Sequence, residues 1–382
     1  MKKICFVTTV SITLKAFVLK TAEYLHENTD WDISFVCNND DEFLASLPDY
    51  FHYYPIPMER GISSSGIKAT IEMKRLFMRE KFDLVQYSTP NASFYAAIAS
   101  KLAGVPIRLY CQWGIAYVGF SGLKRRIFKT IEKAVCSLST WIEPDSNSNL
   151  EFSHSEGLYP DKKGSVVWNG SACGVDLLKF DFSKKDEYRD AVREKFGIQK
   201  DAFVFGFVGR ITRDKGINEL LTAFHTICTG SEYLLLVGPD EADATVDANL
   251  MIWAKNNNNV LFTGYTDTVE QYLSAMDCYI LPSYREGFGM GVIEAEAMGL
   301  PVIVTNIPGP IDGMKDNETG LIIEKNNIYD LVKAMKKVQT DTLFATLCGE
   351  HGVKYSKENF DQNVFFSKIL EDRRRLLKEY AY

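Results

Sequence analysis

The stretch Leu281-Pro282-Ser283-Tyr284-Arg285-Glu286-Gly287-Phe288-Gly289-Met290-Gly291-Val292-Ile293-Glu294-Ala295-Glu296-Ala297-Met298-Gly299 decides the reading of this chain. An apolar run ends at Leu281, a glycine-rich loop follows, and a helix is expected from Met290 until Gly299 stops it, with Pro301 opening the next strand. The glycines let the backbone approach a ligand, and amides at a helix start suit phosphate or sugar oxygens, so Gly287, Phe288, Gly289, Met290 and Gly291 are candidate binding residues. Glu286 falls in the loop and Glu294 near the first helical turn. Carboxylates there repel a bare anion but accept hydrogen bonds from vicinal hydroxyls, so the mixture points to ribose and sugar beside a phosphate. The plain alternative is a strand-to-helix turn with Glu286 solvated and Glu294 favouring the helix dipole. Glu296 reads as a surface charge.

A second signal is Phe207-Val208-Gly209-Arg210-Ile211-Thr212-Arg213-Asp214-Lys215-Gly216. Gly209 ends a strand, and Arg210 and Lys215 flank the entry to the next helix. Two fixed cations and helix-start amides can stabilise the charge of a departing nucleoside diphosphate without a metal. Taken singly, such residues are ordinary surface cations. Their place relative to Glu286 is what singles them out.

Around these motifs the second half alternates strand and helix. Strands are expected at 203–208, 233–237, 260–263, 278–281, 302–305 and 320–323, with a helix over 217–228. The first half has the same rhythm, with strands at 4–8, 33–36, 84–87, 107–111, 141–144 and 165–168 and helices at 16–26, 67–80, 94–103 and 124–138. A charged, apolar-poor stretch at 181–190 separates the halves. The pattern predicts an α/β chain of two Rossmann-like, doubly wound parallel-sheet domains, 1–180 and 181–360, facing a central cleft. A helix within 361–382 is expected to pack back on the first domain.

Size and composition agree. The 382 residues exceed one comfortable core, and 46% hydrophobic with 24% charged residues is ordinary for a folded globular chain. A net charge of −7 argues against a general nucleic-acid binder. Eight cysteines stand singly, without a Cys-x-x-Cys pair, and read as small buried hydrophobes in a reducing compartment. The apolar opening Ile4-Cys5-Phe6-Val7 passes straight into Thr8 and Thr9, too short for a signal peptide. The expected location is cytoplasmic.

In their order and spacing, Val208-Gly209-Arg210 with Lys215-Gly216, Glu286-Gly287-Phe288-Gly289 with Glu294-Ala295, and Gly299-Leu300-Pro301-Val302-Ile303 resemble the GT-B glycosyltransferases of family GT4, which includes capsule and lipopolysaccharide enzymes. The likeness runs over nearly the whole chain. It implies retaining transfer of a hexose or N-acetylhexosamine from a nucleotide diphosphate sugar, UDP-linked as a family-based expectation, to a glycan acceptor carried on a lipid. It places Arg210 and Lys215 on the diphosphate, Glu286 near the donor sugar and Glu294 on the ribose, with Gly209 also in the donor site. No cofactor or metal is expected.

The resemblance puts the acceptor mainly on the first domain, where the candidates are Thr9, Lys15, Gln112 and Trp113. Many relatives place a His in the segment matching Tyr110-Cys111-Gln112-Trp113-Gly114; here Gln112 stands there and cannot accept a proton. The donor phosphate oxygen is then the expected proton acceptor, with Gln112 orienting a sugar hydroxyl or simply ending a buried strand. Residues 119–133 interleave Lys124, Arg125, Arg126, Lys129 and Lys133 with Phe120, Leu123, Ile127, Phe128 and Ile131. This is a solvated amphipathic helix, or one that lies on the anionic inner face of the cytoplasmic membrane.

Other classes fit less well. Asp30-Trp31-Asp32 matches an Asp-x-Asp metal motif but precedes a strand instead of following one. A dinucleotide fingerprint fails at Val292, where its last Gly belongs. A non-enzymatic two-lobed sugar-binding protein shares the architecture, but is usually exported.

Overall fold

The computed structural model describes residues 1–59, 64–242 and 245–380. They form two compact units, Met1–Cys173 with Asn363–Tyr382, and Gly174–Gln362.

The first unit contains strands β1 (Lys3–Val7), β2 (Asp32–Cys37), β3 (His52–Pro55), β4 (Leu84–Tyr87), β5 (Ile107–Gln112) and β6 (Trp141–Pro144). Its helices are α1 (Ser11–Phe17), α2 (Leu19–Glu27), α3 (Asp41–Ser46), α4 (Ser64–Glu80), α5 (Pro90–Leu102), α6 (Gly122–Leu138) and α7 (Asn147–Ser155). The sheet is parallel, in the order β3-β2-β1-β4-β5-β6.

The second unit repeats the plan. Its strands are β7 (Phe203–Val208), β8 (Glu232–Val237), β9 (Val260–Gly264), β10 (Cys278–Leu281), β11 (Val302–Thr305) and β12 (Gly320–Ile323), in the parallel order β12-β11-β10-β7-β8-β9. Its helices are α8 (Lys185–Phe196), α9 (Ile217–Ile227), α10 (Ala248–Lys255), α11 (Val269–Ala275), α12 (Met290–Ala297), α13 (Ile328–Thr340) and α14 (Thr342–Phe360), and α15 (Gln362–Glu379) then joins the first unit. Each sheet reverses strand order once, at β1/β4 and at β7/β10, and open sheets bind ligands beyond the carboxyl ends of the strands at such points.

Helices on both faces bury the central strands, which explains their unbroken Val, Ile, Leu and Phe runs. All four residues of β10 and of β11 are buried. Truncating one of them, such as Ile280, to Ala would cost about 2–5 kcal/mol. The α15 helix lays Phe365, Phe366, Ile369, Leu370, Leu376 and Leu377 into the first unit. Buried among them, Arg373 donates to Gln86 at 3.0 Å and to Glu143 at 2.9 Å. Burial, the largest single influence, would lower its pKa, but the charge and hydrogen bonds of Glu143 together with the Asp372 charge outweigh it and raise the pKa. Such a pair contributes little net stability, yet removing one partner strands a buried charge.

The structure differs from the sequence reading in several places. Residues 165–168 form no strand: pairing there is a single bridge from Ile142 to Gly164, and Trp168 turns the chain with φ 52°. The charged stretch at 181–190 runs into α8, stopped by Gly197 at φ 65°. Helix starts earlier than expected after β1, at Ser11, and edge strand β3 escaped notice. Seven of the eight free cysteines are buried, and Cys228 is half-buried.

Candidate active site

The second unit's site is built where β7 and β10 end side by side. After β10 the loop 282–289 is pinned from below: Thr305 Oγ1 donates to the Ser283 carbonyl at 2.6 Å, and Tyr284 N–H donates to the Asp214 carbonyl at 2.9 Å. The loop after β7 approaches so closely that a Cβ on Gly216, which has φ +74°, would lie 2.0 Å from the Pro282 carbonyl oxygen. Only glycine fits there. That approach brings Lys215 to Glu286.

Lys215 Nζ lies 2.7 and 2.8 Å from the two Glu286 oxygens, and Ser283 Oγ donates to Glu286 Oε1 at 2.7 Å. The Lys215 and Glu286 side chains are 19% and 10% exposed. A second acid, Asp214, receives Arg285 at 2.9 Å. Burial opposes its charge, but the Thr212 hydroxyl and the Arg285, Arg210 and Lys215 cations outweigh burial and hold its carboxyl below the usual range. Arg210, next to Gly209, is exposed and pairs at 3.0 Å with Glu241 instead of joining the Lys215–Glu286 pair. Lys215 and Glu286 are thus in direct contact, while Arg210 reaches them only through the field of the cluster.

No side chain caps α12; its N-cap is Gly289 at φ +82°, so the first-turn amides around Met290 and Gly291 are not taken by a cap. Gly291 is required below them, because a Cβ would meet the Tyr279 hydroxyl at 2.3 Å. Phe288 is buried and anchors the loop, while Gly287 is half-buried. Glu294 is the fifth residue of α12, just past the first turn, where the sequence places it. Burial pushes its carboxyl up to about 7, with Lys179 lowering and Glu270 raising it. The Tyr279 hydroxyl, buried with no hydrogen-bond partner, is raised by burial and by the charges of Glu286 and Glu294. Sequence reasoning missed it as one more apolar strand residue.

Glu296 is a correction. It is not a surface charge: its side chain is fully buried on the α14 side of α12, against Gly352, and neither carboxylate oxygen has a hydrogen-bond partner. Burial raises its pKa well above the carboxylate range, with only partial opposition from Thr319.

On the first unit, Thr9 sits at the β1/β4 reversal. Its N–H and hydroxyl meet the Thr89 hydroxyl at 3.2 and 2.8 Å, and Thr89 has φ 67°. Lys15 is exposed on α1, 5.7 Å from the Phe43 ring centroid. Trp113 is half-buried against Phe17. Gln112 is corrected as a group open to an acceptor. It is fully buried, its amide donates to Glu132 at 2.6 Å, and its carbonyl accepts from Ser153 at 2.9 Å and Tyr159 at 3.4 Å. Among the described residues, no three His, Cys, Asp or Glu are grouped so as to hold a metal ion. Asp32 of the Asp-x-Asp triplet opens β2 and pairs with Lys3 and His52.

Two like sheets in the 3-2-1-4-5-6 order, the second with a Lys–Glu pair beside a glycine-rich helix start, give the chain the two-domain GT-B architecture. The profile described as "Glycosyl transferases group 1" matches residues 188–355, and that described as "Glycosyl transferase 4-like" matches 3–143. The chain is 30% identical to the capsular polysaccharide biosynthesis glycosyltransferase CapM of Staphylococcus aureus, covering 85% of each chain. It is 28% identical to the UDP-Gal:alpha-D-GlcNAc-diphosphoundecaprenol alpha-1,3-galactosyltransferase of Escherichia coli, over 82% of this chain and 81% of that one. Sucrose-phosphate synthase of Thermosynechococcus elongatus superposes with a TM-score of 0.81 at 18% identity, over 99% and 100% of the two chains. The chain belongs to the GT4 family of glycosyltransferases.

Proposed function

We propose that the protein transfers a hexose or N-acetylhexosamine from a UDP-sugar, with retention of configuration, to a glycan carried on a lipid diphosphate in cell-surface polysaccharide synthesis. The observation that carries this reading is the contact of Lys215 with both oxygens of Glu286 at the β7/β10 reversal, next to the uncapped start of α12. As the sugar–phosphate bond breaks, the departing diphosphate gains negative charge. Lys215, Arg210 and the α12 amides stabilise that charge without a metal, and Glu286 holds Lys215 in place until then while meeting donor-sugar hydroxyls. Glu294 accepts the ribose hydroxyls. With Gln112 committed inside the first unit, the leaving phosphate oxygen takes the acceptor proton.

The lipid carrier draws support from the E. coli relative, whose named acceptor is a diphosphoundecaprenol bearing an N-acetylated sugar. It also draws support from α6. Leu123 and Ile127 are 72% and 48% exposed there beside exposed Lys124, Arg126 and Lys133, an arrangement suited to an anionic bilayer surface. Arg125 and Lys129 are engaged with Glu156 at 3.5 and 2.6 Å. Among the described residues no helix is long and apolar enough to cross a membrane.

The test is a panel of UDP- and GDP-sugars incubated with and without lipid-diphosphate glycans, following nucleotide release. Acceptor-dependent UDP release supports the reading. Reversible sugar binding with no release in any combination favours a binding protein instead.

A further inference from the structure

Behind the start of α12 lies a hydroxyl that the donor chemistry above leaves idle. Tyr279 is the second residue of β10, and strand alternation puts its side chain on the same face as Leu281 and Ser283. The loop 286–291 folds onto that face. Ser283 Oγ bonds Glu286, Leu281 lies under Gly289, and the Tyr279 hydroxyl lies under Gly291. The hydroxyl is buried and has no hydrogen-bond partner. Leaving it so destabilises the free protein, and a phenylalanine ring would fill the same space without that cost. Fully enclosed, the hydroxyl cannot touch a ligand and has to act through a neighbour.

After burial, the charges acting on it are those of Glu286 and Glu294. Glu286 is already served by Lys215 and Ser283. Glu294 is not: among the described residues no hydrogen bond or ion pair holds its carboxyl. The other charges that reach Glu294 are Lys179 and Glu270, which pair with each other at 3.8 Å, and Lys179 donates instead to the Asp267 carbonyl at 2.7 Å. Helical side chains lean back over the residues three and four positions earlier, which for Glu294 are Gly291 and Met290. Because Gly291 has no side chain, an unused donor and an unheld acceptor border the same gap.

We propose that Tyr279 is a positioning residue for the nucleotide: when ribose hydroxyls engage Glu294, its carboxylate turns across Gly291 and accepts a hydrogen bond from the Tyr279 hydroxyl, which holds it charged and in place. This rests on the ribose assignment of Glu294 made above.

The probe is UDP alone, titrated calorimetrically into wild type, Tyr279→Phe, Glu294→Ala and the double variant at about pH 5.5 and about pH 8. A carboxylate accepts a hydrogen bond more strongly than a neutral carboxyl. The Tyr279→Phe loss should therefore grow from little at the lower pH to about tenfold in affinity at the higher one. In the Glu294→Ala background the same change should cost nothing more. Free Tyr279→Phe should melt no lower than wild type, because the hydroxyl it loses has no partner there. A loss under about twofold at the higher pH, a loss equal at both, a full loss retained without Glu294, or a lowered melting temperature overturns the role. Unchanged UDP affinity in Glu294→Ala refutes the ribose assignment and the proposal with it. A loss in Glu294→Ala with none in Tyr279→Phe refutes the proposal alone.

Discussion

Replacing Lys215 with Met separates the two roles assigned to its contact with Glu286. At 2.7 Å and an effective dielectric near 20, the gross attraction is about 6 kcal/mol, much of it offset by desolvation. Removing one partner of a fully buried pair costs about 3–5 kcal/mol. Lys215 keeps 19% of its side chain in water, so screening reduces the expected cost to about 2–3 kcal/mol. In a domain of this size that lowers the melting temperature by about 4–12 °C. Adding Glu286→Gln removes the stranded charge and should restore at least half of the loss, a coupling that a double-mutant cycle measures directly. Activity should behave otherwise. Losing a fixed cation at the leaving diphosphate costs about 10²–10³ in kcat, and the second substitution cannot return it. The assays are thermal melts of the four proteins and steady-state kinetics with the nucleotide sugar. A Lys215→Met enzyme with kcat within about threefold of wild type, or a double variant that regains turnover along with stability, refutes the reasoning.

Three further outcomes are expected. The folded pKa of Glu296 lies above its unfolded value, so its cost is absent below pH 4.5 and grows as pH rises; Glu296→Met should therefore stabilise by about 1–3 kcal/mol at pH 8 and by little at pH 4, read from melts at the two pH values. Glu294 titrates near 7 in the free protein, so donor KM should fall between pH 6 and 8 as the carboxylate forms, and Glu294→Gln should flatten that dependence. On α6, changing Lys124, Arg126 and Lys133 together to Gln should weaken binding to anionic liposomes by about 3 kcal/mol, roughly 150-fold at low salt, as measured by sedimentation.

The second unit was the more legible half because its central strands β7, β10 and β11 are largely buried and the helices α9 and α12 begin at Gly216 and Gly289, so period and punctuation coincide at 203–208, 278–281 and 302–305. The first unit reads less clearly. Residues 165–168 look apolar enough for a strand but meet β6 only through the Gly164 bridge and the Ser165 N–H bond to Ile142, and β3 is an edge strand with exposed His52. Pairing partners are tertiary facts that a local pattern does not contain. Glu296 had a readable signal: Val292, Ile293, Ala295, Ala297 and Met298 surround it, and a short helix apolar on all sides is buried. The usual exposure of glutamate concealed that. Gln112 ends an apolar strand, but its commitment to Glu132, Ser153 and Tyr159 depends on α6, α7 and the turn after α7 converging there. The Lys215–Glu286 contact was anticipated only as a shared neighbourhood; Gly216 under Pro282 makes it a bond.

The most direct measurement of the central claim is one NMR-monitored reaction of UDP-sugar labelled at the anomeric carbon with a prenyl-diphosphate-linked N-acetylglucosamine. The account predicts that UDP and product appear in equal amounts, that the new glycosidic carbon keeps the α configuration of the donor, and that Lys215→Met abolishes both signals in parallel. A β-linked product, or no acceptor-dependent UDP with any UDP-sugar, would contradict it.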